Sequence, residues 1–286
     1  MSRISSNGIE LEYEDYGDAT APLLILVAGL GEQMGGVEFP RDFCRMLAER
    51  SFRVVRFDNR DVGLSTHLRD AAPGAYTVVD MADDVAGLVA GLGATGAHLV
   101  GASMGGFIVR WAALRHPDLV RSVTVIMSGA GARADDPAGK RLSKMDPAVV
   151  EKMLGKTRPA ETEEAAIESY VEAWRSYNGS GFAFDEDRVR GCGQLTHARC
   201  YDPRGVGRQA AAVFNAPDLL EAQEAISCCV AVVHGDEDPI FGEDHAREIA
   251  NRIPGTKLEV IRGMGHEMPS EAWPRIIRTI EEVSST

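Results

Sequence analysis

The sequence is poor in the features that mark a nucleic-acid or membrane partner. Lys and Arg number 30 against 43 Asp and Glu, a net charge of −13, whereas nucleic acids and anionic membranes reward clustered positive charge. The apolar run Leu23–Ala28 is far shorter than the about 20 residues of a membrane-spanning helix. Met1 to Asn7 lacks the apolar core of a signal peptide. Five cysteines, two of them adjacent at Cys228-Cys229, form no CxxC or CxxxH metal spacing. They read as reduced, mostly buried thiols, so a cytoplasmic protein without a metal is expected. There is no internal repeat and no low-complexity tract. What remains is 286 residues, 44% hydrophobic and 26% charged. That suits one large α/β domain, with room for a smaller inserted one.

Periodicity divides the chain. Ile9–Tyr16 alternates apolar and polar residues as a half-buried antiparallel strand does, with the turn signal Asn7-Gly8 before it. Pro22–Ala28 is a continuous apolar run, expected of a central strand covered on both faces. Pro40 opens a helix, Phe52–Phe57 is a strand, and Val78–Leu92 is a helix with Val78, Met81, Val85, Leu88 and Val89 on one face. Strands follow at Ala97–Val100 and Ser122–Met127, with a helix at Gly106–Leu114 between them. This alternation specifies a mostly parallel, doubly wound sheet. From residue 131 to about 215 the strand signal lapses. The segment reads as helical, for example over Glu163–Tyr177, and is punctuated at Pro137-Ala138-Gly139, Asn178–Gly181 and Pro203-Arg204-Gly205. Strands resume at Cys229–Val233 and Lys257–Ile261, and Pro274–Val283 is the last helix. The expected organisation is a core of residues 1–130 and 216–286 with a helical cap insertion at 131–215. Its breaks at 178–181 and 203–207 are expected to be hinges or loops, and Trp174 and Phe182 to shape the pocket.

Between the strand ending at Val100 and the following helix lies Gly101-Ala102-Ser103-Met104-Gly105, which fits G-x-S-x-G. A strand that turns sharply into a helix leaves the turn residue strained and its side chain exposed, so its neighbours must lack bulk. The helix then begins beneath Ser103 with free N–H groups and the positive end of its dipole. A serine hydroxyl needs an imidazole to take its proton, and the imidazole needs a carboxylate to hold its tautomer. Two loops after later strands offer both. His234-Gly235-Asp236-Glu237-Asp238-Pro239-Ile240 carries three carboxylates, and Gly263-Met264-Gly265-His266-Glu267 carries a histidine between glycines. Asp236, Glu237 and Asp238 are all candidates for the acid. His234 reads as a packed structural histidine, as do His98, His116 and His245. His197 with Cys200 has too few partners for a metal site.

The order Ser103, Asp238, His266 belongs to α/β-hydrolases. With Gly29-Leu30-Gly31, Arg56–Thr66, Gly235-x-x-Asp238-Pro239-Ile240 and Gly263–His266, the chain resembles that superfamily over nearly its full length. Within it, the chain is similar to bacterial ester hydrolases near aclacinomycin methylesterase. The resemblance implies an α/β-hydrolase fold, Asp238 as the acid, and the backbone amides of Leu30 and Met104 as the oxyanion hole. It places Arg60 and Asp61 near the oxyanion loop, where they are expected to pair and brace it. Many members have His-Gly where this chain has Ala28-Gly29. Serine at the elbow argues against the dehalogenase and epoxide-hydrolase branches, which use Asp there.

The expected activity is cofactor-free hydrolysis of a small or medium-sized carboxylic ester through an acyl-enzyme. The expected partner is that small-molecule ester, without nucleic acid or membrane; oligomeric state is left open. A C–C bond hydrolase or a perhydrolase shares the triad, and a ligand receptor on a hydrolase scaffold also retains such a serine.

Overall fold

Every residue of Leu23–Val27 is buried, and the sheet is built outward from that strand. The computed structural model describes residues 2–131 and 142–285. The expected break at Pro137-Ala138-Gly139 therefore lies outside the described residues, as does the start of the expected insertion from 132. Asn7 and Gly8 take positive φ, 47° and 78°, and reverse the chain. They create an antiparallel strand β1 (Ser2–Ser6), which the sequence did not reveal, against β2 (Ile9–Tyr16). Next come β3 (Leu23–Val27), α1 (Arg41–Ala48), β4 (Arg53–Phe57) and α2 (Val78–Gly91). Thr77 caps α2, accepting from Val79 N at 3.2 Å, while Asp80 reaches back to Thr77 N at 2.7 Å. The elbow joins β5 (Ala97–Ala102) to α3 (Met104–Arg115), and β6 (Val120–Ile126) follows.

Beyond β6 the described chain forms α4 (Pro147–Gly155), α5 (Glu163–Tyr177), α6 (Glu186–Arg199) and α7 (Pro203–Phe214). It then returns to β7 (Cys229–Gly235), α8 (Glu243–Arg252), β8 (Lys257–Ile261) and α9 (Trp273–Ser284). The sheet order is β1-β2-β4-β3-β5-β6-β7-β8, with β1 and β2 antiparallel to their neighbours and the remaining pairs parallel. Side chains alternate along the central strands. Leu23, Ile25 and Val27 pack with α2, α3 and α8, while Leu24 and Leu26 pack with α1 and α9. Two apolar layers thus bury both faces of the sheet. Among the described residues no helix is long and apolar enough to cross a membrane.

Helices α4 to α7 lie on the loops that leave the carboxyl ends of the strands. Tyr170 of α5 reaches Glu32 after β3, Arg199 of α6 and Arg208 of α7 reach Asp58 and Asp61 after β4, and Gly181 bonds Gly263 after β8. Open parallel sheets place ligands at this edge. The hinge or loop expected at 203–207 is instead the first turns of α7. Asp202 caps the segment by accepting from Gly205 N at 3.1 Å, and Pro203 starts α7.

Candidate active site

Ser103 sits at φ 51°, ψ −116°, outside the regions a non-glycine residue favours. Strain of this kind costs of order 1–3 kcal/mol and persists only where the surroundings over-determine it. Ser103 N donates to Ile126 O at 3.0 Å, and its carbonyl accepts from Gly106 N at 2.9 Å and Ser128 Oγ at 2.8 Å. A side chain on Gly105 would come within 1.9 Å of Val27 O, so only glycine lets α3 start this close to β3. The small residues of the elbow therefore have the steric role their spacing suggested, and α3 begins at Met104, two residues earlier than expected.

The structure brings together the serine, acid and histidine singled out from the sequence. His266 Nε2 lies 2.9 Å from Ser103 Oγ, and His266 Nδ1 lies 2.7 Å from Asp238 Oδ2. A carboxylate at Nδ1 assigns the ring proton there and leaves Nε2 to accept from the serine. The other Asp238 oxygen accepts from Ile240 N at 2.8 Å and Phe241 N at 2.9 Å. Burial works to raise the Asp238 pKa, but His266, His234 and the Phe241 amide outweigh it and hold the carboxyl below its ordinary value. His234 donates from Nε2 to Phe241 O at 2.7 Å and lies 3.6 Å from Asp238. Burial pushes its pKa down, and it braces the acid loop as a packed histidine.

Asp236 and Glu237 point elsewhere. Asp236 accepts from Gly263 N at 2.6 Å. Glu237 accepts from Ser180 N at 2.6 Å and Ser180 Oγ at 2.7 Å, tying the helical segment to the acid loop. The His266 ring is flanked edge-on by Tyr177, with Phe241 also against it. Ser103 lines a cavity of about 70 Å³ with Leu30, Met104, Phe107, Met145, Met153, Val213, Phe214, Ile240 and Phe241. Among the described residues, the Leu30 and Met104 amides donate to no protein acceptor. A larger cavity of about 250 Å³, lined by Gln33, Lys156, Tyr170, Tyr201 and Val206 among others, does not include Ser103.

The sequence profile described as the alpha/beta hydrolase fold matches residues 22–272. Rhodomycin D methylesterase DnrP of Streptomyces peucetius is 31% identical over 281 residues, covering 93% of this chain and 92% of that protein. DauP of Streptomyces sp. strain C5, a rhodomycin D methylesterase by name, is 30% identical over the same shares. The chain belongs to the α/β-hydrolase fold family. Among solved structures, the enol-lactonase of Burkholderia xenovorans LB400 superposes with a TM-score of 0.78 at 23% identity, each chain covered in full. That likeness is one of fold.

Several expectations about this α/β-hydrolase change in three dimensions. Arg60 and Asp61 do not pair with each other. Arg60 binds Asp84 through two contacts of 2.6 Å, while Asp61 binds Arg208 at 2.7 and 2.9 Å and accepts from Tyr76 at 2.8 Å. The chain turns here, with Asp61 at φ 69°, and the two side chains find partners on different helices, Asp84 of α2 and Arg208 of α7. Trp174 is buried among Val171, Tyr177 and Ile240, and Phe182 packs on the layer of α1 and α9; neither lines the Ser103 cavity. The segment between β6 and β7 contributes Met145, Met153, Val213 and Phe214 instead. His98, His116 and His245 are held by Ser122, Asp83 and the Ser143 carbonyl. His197 faces Glu163 at 3.7 Å, while the Cys200 sulfur lies 3.5 Å from His67. Sequence reasoning missed Glu32, Glu38 and Lys156, a cluster of ionisable side chains behind the Gly29 turn. The Ala28-Gly29 departure was the one signal that this turn needed other support.

Proposed function

We propose that the chain is a serine hydrolase that cleaves a carboxylic ester of a small or medium-sized organic substrate through an acyl-enzyme, without a cofactor. One observation carries this reading: His266 stands 2.9 Å from Ser103 Oγ and 2.7 Å from Asp238 at once. Ser103 Oγ attacks the acyl carbon as its proton passes to His266 Nε2. The carbonyl oxygen becomes an oxyanion, received by the Leu30 N–H of the turn after β3 and the Met104 N–H at the start of α3. One such donor is worth about 10²–10³ in rate. Collapse expels the alcohol, which takes the proton from His266. Water then attacks the acyl-enzyme, gives its proton to His266, and the acid leaves as Ser103 is restored. Asp238 stays ionised throughout and stabilises the imidazolium.

The similarity to methylesterases makes methyl esters the first substrates to try, and the narrow apolar cavity suits a small neutral group. In this reading residues 131–215 form a cap that shapes the pocket. All five cysteines are free thiols, which fits the cytoplasm. The test is a fluorophosphonate with p-nitrophenyl and methyl esters of graded acyl length. Single labelling at Ser103 and fast multiple turnover support the esterase. Labelling at Ser128 or Ser65, whose hydroxyls donate to the Ser103 and Asp58 carbonyls, contradicts it. One slow acylation favours a receptor, and cleavage of a vinylogous diketone in place of esters favours a C–C hydrolase.

A further inference from the structure

The turn after β3 is held by hydrogen bonds on both sides of Leu30. The Ala28–Gly29 peptide is held on both edges: Asn59 Nδ2 donates to Ala28 O at 3.1 Å, and Gly29 N donates to Glu38 Oε2 at 2.6 Å. The carbonyl of the next peptide, Gly29 O, accepts from Glu32 N at 3.2 Å. Gly31 N, in the peptide after that, donates to Gln209 Oε1 of α7 at 2.9 Å. Among the described residues the Leu30 N–H has no acceptor, and Leu30 lines the Ser103 cavity. Gly29 must lack a side chain, since a carbon there would lie 2.8 Å from Glu38 Oε1 and 3.0 Å from Ser103 Cβ. The Glu38 carboxyl and the nucleophile thus flank one backbone atom.

We infer that Glu38 is a positioning residue for the oxyanion hole, setting the direction of the Leu30 N–H by accepting from Gly29 N. The inference rests on the hydrolase reading above and names the support that replaces the histidine absent before Gly29. Hydrogen-bond acceptors placed this close to a developing oxyanion present a conflict, because a full negative charge there opposes the charge that forms. The structure relieves it. Burial, and then repulsion from Glu32, push Glu38 up to about 8, against the pull of the Gly29 amide and Lys156. Near neutral pH Glu38 therefore accepts from Gly29 as an uncharged acid. The groups facing it are Glu32 of its own loop and Lys156 beyond α4, 3.8 Å from Glu32. Tyr170 of α5 donates to Glu32 at 2.9 Å, and Tyr177 lies near both acids. Arg56 of β4 holds the Phe39 carbonyl at 2.8 Å, and His266 stands across Ser103. Lys156 also sits over the rings of Tyr170, Trp174 and Tyr177, so the positive charge beside Glu32 comes from the helical segment.

The test compares wild type, Glu38→Ala and Glu38→Gln on one p-nitrophenyl ester between pH 6 and 10, with folding followed by circular dichroism and thermal melting. Glu38→Ala should lower kcat at least ~10-fold with KM within about twofold, since a misdirected donor loses part of its full value. Glu38→Gln keeps an acceptor for Gly29 and should restore kcat at pH 7 to within about threefold. It should also abolish a fall in wild-type kcat as pH rises through the Glu38 ionisation. Three results overturn the inference: an unchanged kcat in folded Glu38→Ala, an alkaline fall that survives in Glu38→Gln, or equal losses in both variants. If wild type neither labels with fluorophosphonate nor turns over an ester, the hydrolase reading fails and this one falls with it. If wild type labels without turnover, the Glu38→Ala labelling rate decides in place of kcat: a drop of at least ~10-fold supports the inference and an unchanged rate overturns it.

Discussion

The backbone N–H of His266 donates to the carbonyl of Tyr177 at 2.7 Å, so the histidine loop is fastened to the last residue of α5. The loop Asn178–Gly181 continues that contact. Gly181 N donates to Gly263 O at 2.9 Å, and a side chain on Gly179 would lie 2.2 Å from Gly263 O. Of the hinge or loop expected here, the structure shows a loop, packed backbone to backbone on the segment that carries His266.

Gly179→Ala should push the 263–265 backbone and move His266 with it. A displacement of about 1 Å at a reacting group costs on the order of 10²-fold. We expect kcat to fall at least ~10-fold, with slower fluorophosphonate labelling and a lower melting temperature. Wild-type labelling kinetics in this variant would show that the contact does not position the base.

Asp238→Asn retains size but offers an amide to His266 Nδ1 and favours the wrong tautomer. The loss in kcat/KM should be at least ~10², because oxyanion donors and binding remain. Asp236→Asn and Glu237→Gln, which hold Gly263 and Ser180, should lose less than about tenfold. A crippled Asp236→Asn beside a nearly normal Asp238→Asn would reverse the assignment of the acid.

Stability should carry the signature of Glu38. Its folded pKa is raised from 4.5 to about 8. The folded state therefore binds more protons than the unfolded state across that window, and stability falls as pH rises through it. Glu38→Gln removes the cost. Its melting temperature should exceed wild type at pH 7 by about 2–4 °C, the shift that ~1 kcal/mol produces in a chain of this size. The gain should vanish near pH 4, where both states are protonated. An equal gain at both pH values would point to packing instead.

Selectivity should move with the residues that line the Ser103 cavity. Met153→Ala and Phe214→Ala should change relative kcat/KM across esters of graded length by about 10-fold or more, one or two lost methylene contacts being worth about 1–3 kcal/mol. Trp174→Ala, in the interior of the helical segment, should lower the melting temperature instead. Uniform effects on every ester from Met153 and Phe214 would contradict this division.

Local pattern was enough for the strands and helices of the sheet, because alternation and helical spacing are properties of neighbouring residues. Glu163–Tyr177 forms α5 over the expected span, and the last strand is Lys257–Ile261 as read. The same holds for Ser103 and His266, since each lies in a glycine-marked loop at a strand end whose chemistry is legible in a few residues; among the three neighbouring carboxylates of the acid loop, only the family resemblance favoured Asp238. Partnerships across the chain were not legible. Arg60 meets Asp84, Asp61 meets Arg208, and Glu38 meets Gly29 because folding removes these charges and amides from water and leaves them whichever partner lies within reach. Sequence spacing places side chains on faces of their own element. Which buried acid is opposed by which cation, and which amide is left free beside Ser103, depends on how separate elements pack, and only the tertiary structure decides it.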